Sequence, residues 1–599
     1  MIEYEKIVRE SLKKTDVVIV IFIIMVFLSA CSHQPGKPGV MVMGDYDYSI
    51  RYMDWYIQKL IKQQEIAGLS IAIIDDQKII WQKGYGKANE KPNAAATENT
   101  IYRAGSVSKL FTGLAIMQLV EREKLDLDKP IIDYLPEFNV QSHESVRPIT
   151  VRDLLTHHSG LLSDLHKGMW SANSSLDDLI PLLNTTYLTN KPGEINSYSN
   201  AGYALLGVLI ERISQTPFNL YMQKNILSPL AMNDSQFSQI FGSEAQHAMA
   251  YFKTEEKSVV PLRDTPAGGL NTSVKDLSQF VKAIFADGDG IVSESALQTM
   301  LTDQNENVAL DFDVRGGLSW WFNAPIQLKD PRIGLVAQHF GATFYHRAGL
   351  VTLPKHKLGV VVMSNTSNVN VHDIATKSLM VTLEAKYGWA LTLPDRKSFT
   401  NESHPDIETG LYSTNLGPVN FIKNDDGYTA HHTKGQATIV TENDGYYGVR
   451  TRLLGFIPYT PEPLKRIRFN FKTVDAYDVI YTEQNGEKFL AGVKLKNYKV
   501  PMIWQRRVGQ YEIINSDKQE QFVMKDIRVE FVKNLLLLSY ELPIFADDRV
   551  YSVLQPLNEK FALTGGLGRG KGETIEVLSD DPTGETFQFA GLRLARITN

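Results

Sequence analysis

The chain has 599 residues, more than a single hydrophobic core supports, so two to four domains are expected. Its composition is typical of a globular protein, with 43% hydrophobic and 22% charged residues. A formal net charge of −6 leaves no basic excess, which argues against a nucleic-acid partner. Cys31 is the single cysteine, so no intrachain disulfide can form and stability must come from packed cores.

The N-terminal segment has the pattern of an export signal. Residues 17–28 form an apolar run after two lysines, short for a membrane span but suited to the hydrophobic part of a signal peptide. The run ends in the letters LSAC, which resemble the lipobox of bacterial lipoproteins, whose cysteine is lipidated and becomes the mature N-terminus. We therefore expect residues 1–31 to be a lipoprotein-type signal peptide, 32–48 a tether, and Cys31 the lipid-bearing residue.

An uncleaved N-terminal anchor with an incidental cysteine is the alternative. Both interpretations place the bulk of the protein outside the cytoplasm, held on a membrane of a bacterial cell envelope.

From residue 49 onward, the spacing of apolar residues predicts an α+β domain. The predicted elements are a helix over 49–64, strands over 69–74 and 79–81, helices over 110–120 and 201–213, strands over 344–353 and 358–363, and a helix over 371–386. Because a hairpin and a helix occur at both ends of this region, we expect one antiparallel sheet that is flanked by helices and closed by both chain ends. A mostly helical insertion would lie over one edge of the sheet, within residues 49–392.

The C-terminal third has a different pattern. A polar stretch between residues 393 and 405 predicts a domain boundary, and beyond it alternating residues and frequent turns predict an all-β, barrel-like region. The similar triplets that begin at Gly410 and Gly509 divide this region into 405–505 and 506–599, as two barrels or two halves of one.

Ser106 and Lys109 stand three positions apart at the start of the predicted helix over 110–120. Residues with this spacing share a helix face, so the hydroxyl and the amine can touch. Lysine becomes a base when its pKa falls, and the positive end of a helix together with partial burial lowers it. Helical N–H groups near Ser106 could also stabilise an oxyanion. The alternative is a serine at a helix start with a solvated lysine in the first turn.

Tyr198 and Asn200 directly precede the predicted helix over 201–213. Asn200 is well placed as an N-cap, and capping alone could explain it. If both residues lie near Ser106, the tyrosine beside a cationic lysine is biased toward phenolate and can shuttle a proton. The asparagine can orient the lysine and hydrogen-bond a substrate amide.

Two other patterns carry no predicted site. His157 and His158 lack Cys, Asp or Glu at metal-ligand spacing, so we interpret them as structural and expect no metal or cofactor. The glycine-rich segment 565–572 nearly matches a phosphate-binding loop, but Gly572 replaces the required Ser or Thr and a strand follows. We interpret it as a flexible hairpin loop.

His339-Phe340-Gly341 is a third motif, which joins the pair Ser106 and Lys109 and the pair Tyr198 and Asn200. With it, the chain resembles the serine beta-lactamase and penicillin-binding-protein superfamily, in the branch of class C beta-lactamases, D-alanyl-D-alanine carboxypeptidases, D-aminopeptidases and esterases. The resemblance covers about residues 49–386, and the segment 154–161 is similar to one common in the branch. The motifs are S-x-x-K at Ser106 and Lys109, Y-x-N at Tyr198 and Asn200, and H-x-G, a variant of K-T-G, at His339 and Gly341.

The resemblance implies a role for each motif residue. Ser106 would be the nucleophile, and Lys109 with Tyr198 the proton-transfer pair, with the identity of the acylation base left open. Asn200 would position the substrate. His339 and Gly341 would lie on the strand at the edge of the site, where the glycine lets the substrate backbone approach closely. The backbone N–H of Ala342 would form the oxyanion hole together with that of Ser106.

His339 departs from the lysine of K-T-G. Lysine is a permanent cation suited to a carboxylate, whereas histidine is mostly neutral at pH 7. This departure favours peptides, amides or esters with D-residues or neutral groups over beta-lactams.

The sequence thus predicts a membrane-tethered, extracytoplasmic serine hydrolase that forms an acyl-enzyme on Ser106. Its substrate would be a small molecule or peptide, and we expect a D-amino-acid-containing peptide or amide such as a cell-wall peptide. D-aminopeptidases of the branch carry additional β-barrel domains, so the predicted architecture is similar. The alternatives are a carboxylesterase, a class C-like beta-lactamase, or a catalytically weak cell-wall-binding lipoprotein. The oligomeric state stays open.

Overall fold

The computed structural model describes residues 33–597, apart from 90–92, 245, 390–406, 426, 434, 443–444, 454–456, 466, 485, 497, 517–523, 543–548 and 579–585. The predicted signal peptide, Cys31 and the predicted boundary near residue 400 lie outside the described residues. Among the helices that the structure describes, none has both the length and the hydrophobicity to cross a membrane.

The N-terminal two thirds contain most of the helices. The helices are α1 (Asp47–Gln64), α2 (Ser108–Glu121), α3 (Val151–Leu155), α4 (Leu179–Leu183), α5 (Asn200–Ser214), α6 (Phe218–Met222), α7 (Thr265–Gly268), α8 (Val274–Phe285), α9 (Glu294–Met300), α10 (Val371–Tyr387), α11 (Glu462–Lys465) and α12 (Met502–Gln505). The strands of this part are β1 (Gly68–Asp75), β2 (Lys78–Asn89), β3 (Ala94–Ala95), β4 (Tyr102–Arg103), β5 (Gln236–Phe237), β6 (Ala250–Phe252), β7 (Glu255–Lys257), β8 (Leu270–Thr272), β9 (Ala337–Ala342), β10 (Arg347–Leu353) and β11 (Leu358–Ser364).

One antiparallel sheet organises this part, with the strand order β3-β2-β1-β11-β10-β9. In the centre, Leu69 of β1 lies opposite Tyr85 of β2 on one side and Ser364 of β11 on the other. The first hairpin of the domain therefore pairs directly with the last one. This topology confirms the predicted sheet that both chain ends close.

Alternation along β1 builds a core on each face of the sheet. Ile71 and Ile73 pack with residues of α1 and α10, while Ala72 and Ile74 belong to the core of the helical insertion. Helix α2 lies inside that second core and is buried on all sides from Ser108 to Leu119. A helix that is apolar all round requires such a position. The turn that carries Ser106 is thereby attached to the most buried helix of the insertion.

The C-terminal part forms two closed β-barrels. The first contains β12 (Gly410–Thr414), β13 (Gly417–Asn424), β14 (Gly427–His432), β15 (Gly435–Thr441), β16 (Tyr447–Arg450), β19 (Phe469–Val474), β20 (Tyr477–Gln484) and β21 (Glu487–Lys494), with the short pair β17 (Arg452–Leu453) and β18 (Ile457–Pro458) beside it. The second contains β22 (Gly509–Ile513), β23 (Lys525–Val532), β24 (Leu535–Glu541), β25 (Arg549–Pro556), β26 (Phe561–Thr564), β27 (Thr574–Val577), β28 (Thr586–Phe589) and β29 (Leu592–Arg596). Closure removes the exposed strand edges that an open sheet would present. The predicted α+β class with a barrel-like C-terminal region is confirmed.

The second barrel packs directly on the helical insertion. Gln588 donates to the Thr185 carbonyl over 2.7 Å, and the His166 N–H donates to the Ala590 carbonyl over 3.1 Å. The loop between β26 and β27, residues 565–573, extends from this interface toward the start of α2.

Candidate active site

Ser106 lies in a 3₁₀ turn, Gly105–Val107, that runs directly into α2. Gly105 has φ of 55°, a left-handed conformation that glycine adopts without steric cost. The turn is fixed from below, because the Ser108 hydroxyl donates to the Gly105 carbonyl over 2.6 Å and accepts from the Leu270 N–H over 3.0 Å. Gly105 and Val107 are buried whereas Ser106 is half-exposed, so the turn presents this serine at the surface of a rigid support.

Lys109 lies beneath Ser106 and is fully buried. Its Nζ lies 3.3 Å from Ser106 Oγ and donates to Asn200 Oδ1 and to the Ala267 carbonyl, both over 2.7 Å. Burial, reinforced by the positive charge of Arg569, holds the pKa of Lys109 well below its ordinary value. The alternative of a solvated lysine is therefore wrong, and the amine is poised to act as a neutral base.

Tyr198 closes the other side of Ser106. The Ser106 hydroxyl lies beside the phenol, and Lys109 Nζ lies 4.8 Å from the centre of the tyrosine ring. Burial raises the pKa of Tyr198 to about 12, although Ser106 and Arg569 oppose the rise. The expected bias toward phenolate is wrong, because burial raises the pKa of the phenol more than Ser106 and Arg569 lower it. Tyr198 is a neutral phenol at neutral pH, able to relay a proton between Ser106 and Lys109.

Asn200 is the first residue of α5, and Ser199 is the N-cap, with its hydroxyl accepting from the Gly202 N–H over 2.9 Å. The predicted capping role of Asn200 is therefore wrong. Its amide instead accepts from Lys109 and donates to Asp164 Oδ1 over 2.7 Å. One amide N–H is then left for a substrate, while the carbonyl oxygen orients the lysine.

Strand β9 passes directly against the 3₁₀ turn that carries Ser106. A Cβ built on Gly341 would overlap the Ala104 carbonyl and lie 2.9 Å from Ser106 N. A Cβ built on Gly105 would lie 2.9 Å from Ala342 N. Glycine at 341 is thus required by the approach of β9 to the turn, and the expected contact with a substrate backbone stays a prediction. The backbone N–H groups of Ser106 and Ala342 lie at the same junction, as an oxyanion hole requires.

His339 is 2% exposed and lies inward of the cleft. Its Nδ1 lies 2.9 Å from the Phe340 carbonyl, and its Nε2 has no hydrogen-bond partner among the described residues. Burial and the neighbouring Lys109 lower the pKa of His339 to about 3. The ring is neutral, as the sequence predicted, and it cannot serve as the cation that K-T-G supplies.

The paired histidines support the Y-x-N motif. His157 Nδ1 accepts from the Ser199 N–H over 3.1 Å, and its ring centre lies 4.2 Å from that of Tyr198. His158 Nε2 lies 2.9 Å from Asp311 Oδ2. Both side chains are thus engaged in holding the wall of the cleft.

Two charged residues of the site carried no signal in the sequence. Asp164 accepts from Asn200 and lies near Lys109. Burial raises the pKa of the Asp164 carboxyl, but Arg569 and other positive neighbours lower it further than burial raises it. The carboxyl is therefore ionised. Arg569 comes from the glycine-rich loop of the second barrel, and its guanidinium lies 4.8 Å from the centre of the Tyr198 ring. This segment is a hairpin loop, as predicted, yet it borders the active site. Its Gly570 N–H donates over 2.9 Å to Ser163 Oγ, 407 positions away, a proximity that no local pattern encodes.

A family model described as Beta-lactamase matches residues 53–381 of the chain. The chain belongs to the beta-lactamase family. The resemblance to the serine beta-lactamase and penicillin-binding-protein superfamily is thereby confirmed. All three motifs lie within the matched range.

Individual relatives are distant. The chain is 28% identical to Protein flp of Staphylococcus aureus over 332 residues, 53% of this chain and 64% of that protein, so the match spans less than two thirds of the relative. A structure of the octameric penicillin-binding protein homologue from Pyrococcus abyssi is 26% identical, with a TM-score of 0.50 over 75% of this chain and 96% of that one. The structure of SurE is 20% identical, with a TM-score of 0.55 over 75% and 99%, which shows a similar fold.

Proposed function

We propose that this beta-lactamase family member is a serine hydrolase that forms an acyl-enzyme on Ser106. The observation that carries the proposal is the distance of 3.3 Å between Lys109 Nζ and Ser106 Oγ in a site where burial depresses the lysine pKa. A neutral amine at that distance can accept the serine proton, which a solvated lysine cannot do at neutral pH.

In the acylation step, Ser106 Oγ attacks the substrate carbonyl and its proton passes to Lys109 Nζ, directly or through the Tyr198 hydroxyl. The carbonyl oxygen becomes an oxyanion, which accepts hydrogen bonds from the backbone N–H groups of Ser106 and Ala342. The proton then returns through Tyr198 to the leaving group as the tetrahedral intermediate collapses. Water or an amine releases the acyl group by the reverse sequence.

We propose D-amino-acid-containing peptides or amides, including cell-wall peptides, as the substrate class. Family membership and the intact order of the three motifs support this choice. The Asn200 amide beside the nucleophile also supports it, because its remaining N–H suits a substrate amide carbonyl.

We further propose that the enzyme is tethered outside the cytoplasm by a lipid on Cys31, on the basis of the residues that precede it. Membrane fractionation of cells expressing the full chain tests this point. The Cys31→Ser variant should be lost from the membrane fraction. An unchanged distribution between the fractions would contradict the lipid tether.

Covalent labelling tests the activity. A fluorophosphonate and a fluorescent penicillin are each applied to the wild type, to Ser106→Ala, and to Ser295→Ala, a control serine on the exposed surface of α9. We expect labelling of the wild type and of the control, and none of Ser106→Ala. Labelling by the fluorophosphonate alone would indicate an esterase. Labelling by neither reagent would overturn the proposal and favour a binding lipoprotein.

Mass spectrometry then tests the substrate class. A panel of D-amino-acid amides, cell-wall peptides and short acyl esters is incubated with the wild type and with Ser106→Ala. Turnover confined to the acyl esters would contradict the proposed D-peptide substrate.

A further inference from the structure

The second barrel places an arginine at the mouth of the active site. Arg569 is 58% exposed in its side chain, while its guanidinium lies over the ring of Tyr198, the residue beside Ser106. The cation therefore faces both solvent and the position where a substrate must lie.

The loop that carries Arg569 is held at several points. Gly570 N–H donates to Ser163 Oγ, and a Cβ on Gly572 would overlap the Thr189 carbonyl of the helical insertion. Gly568, Gly570 and Gly572 have φ of 93°, 70° and 71°, a run of left-handed backbone that glycine permits. The alternating glycines thus permit the loop conformation that carries Arg569, and the contacts with Ser163 and Thr189 hold the loop against the helical insertion.

The charges around Arg569 leave it able to bind an anion. Arg569 forms an ion pair with Asp164 Oδ2 at 3.6 Å, a distance longer than a hydrogen bond, and the other oxygen of Asp164 accepts from Asn200. Glu573 is buried at the base of the loop beside Lys571. A guanidinium has five N–H donors in a planar fork, which matches the two oxygens of a carboxylate.

The K-T-G position of the catalytic domain holds a histidine in this chain. In K-T-G a lysine supplies a cation, but here the position is occupied by the neutral, buried His339. We propose that Arg569 is a specificity residue that binds a carboxylate of the substrate, so that the preferred substrate carries a free carboxylate near the scissile bond. The inference rests on the proposed acyl-enzyme at Ser106, and it reverses the expectation of neutral substrates drawn from His339.

Two matched substrate pairs test the inference with the carboxylate on either side of the scissile bond. The first is N-acetyl-D-alanyl-D-alanine and its C-terminal amide; the second is 4-nitrophenyl succinate and its methyl ester. For each pair, the ratio of kcat/KM for the anionic to the neutral member is measured in the wild type, Arg569→Gln and Arg569→Lys. We expect Arg569→Gln to lower the ratio by roughly tenfold or more for at least one pair, because a charge-assisted hydrogen bond is lost. Arg569→Lys should retain part of it.

Arg528→Gln is the control, since it removes an exposed arginine of the same barrel that pairs with Asp526 at 2.8 Å. The ratio is unaffected by a loss of kcat/KM that is equal for both members of a pair, such as one caused by a changed fold or a changed pKa of Lys109. Equal losses on both members of each pair would show that Arg569 only supports the cleft, and would overturn the inference. Failure of both pairs to turn over in a wild type that also resists Ser106 labelling would instead reject the proposed function.

Discussion

Lys109 donates to Asn200 Oδ1 over 2.7 Å, and the same Asn200 donates to Asp164. The chain of contacts joins the S-x-x-K and Y-x-N motifs to a carboxylate. Because Asp164 attracts a proton onto Lys109 and Arg569 repels one, the two flanking charges set the protonation of the base in opposite directions.

Removing the base should abolish acylation without removing the nucleophile. We expect Lys109→Met, which has a similar volume, to slow fluorophosphonate labelling of Ser106 by roughly 10² to 10⁴. The measurement is the labelling rate at saturating reagent. Lys109→Arg should be equally slow, because a guanidinium does not deprotonate at these pH values. Near wild-type labelling of either variant, with an unchanged circular dichroism spectrum, would contradict the role of Lys109.

The pH profile should move in opposite directions when the two flanking charges are removed. The base must be neutral, so activity is lost as pH falls through the depressed pKa of Lys109. Arg569→Gln removes a positive neighbour, raises this pKa and moves the acid limb of the profile to higher pH. Asp164→Asn removes a negative neighbour and moves it to lower pH. The measurement is the labelling rate across pH, and shifts in the same direction would contradict this electrostatic account.

Gly341→Ala should damage both packing and the oxyanion hole. The added Cβ would overlap the Ala104 carbonyl and push β9 away from Ser106. We expect kcat to fall by roughly 10² to 10³, as when one oxyanion donor is lost, together with a lower Tm. Gly202→Ala in α5 is the matched control, because its Cβ would meet its nearest neighbours at 3.4 Å, an ordinary contact. Wild-type activity in Gly341→Ala would show that β9 does not shape the site.

Glu573 should make the stability of the loop interface depend on pH. Burial, reinforced by Asp164, raises the pKa of its carboxyl from 4.5 to about 7. The folded state therefore binds this proton more tightly than the unfolded state, and the stability it contributes is lost as pH rises from about 4.5 through about 7. The rise in the pKa of Glu573 on folding corresponds to about 3 kcal/mol of unfolding free energy.

Glu573→Gln should abolish this contribution. The measurement is the free energy of unfolding at about pH 5 and about pH 8. The wild type should lose more stability between these values than Glu573→Gln does. An equal loss in both proteins would show that Glu573 titrates normally in the fold.

The amino-acid sequence alone determined the elements whose information is local. The helix after Ser106, the strands of the central sheet, the three motifs and the alternation beyond residue 405 can all be recognised from residues within short windows of the sequence. The order of these elements was enough to predict a sheet closed by both chain ends, because a hairpin and a helix were predicted at each end of the domain.

The tertiary structure decided the electrostatics and the borders of the site. The protonation of Lys109, Tyr198 and His339 follows from burial, which depends on residues packed from distant parts of the chain. The place of Arg569 follows from the docking of a barrel, and its loop meets Ser163 across 407 positions. A sequence pattern records which residues are neighbours along the chain, whereas a pKa and a binding surface depend on which residues become neighbours in space.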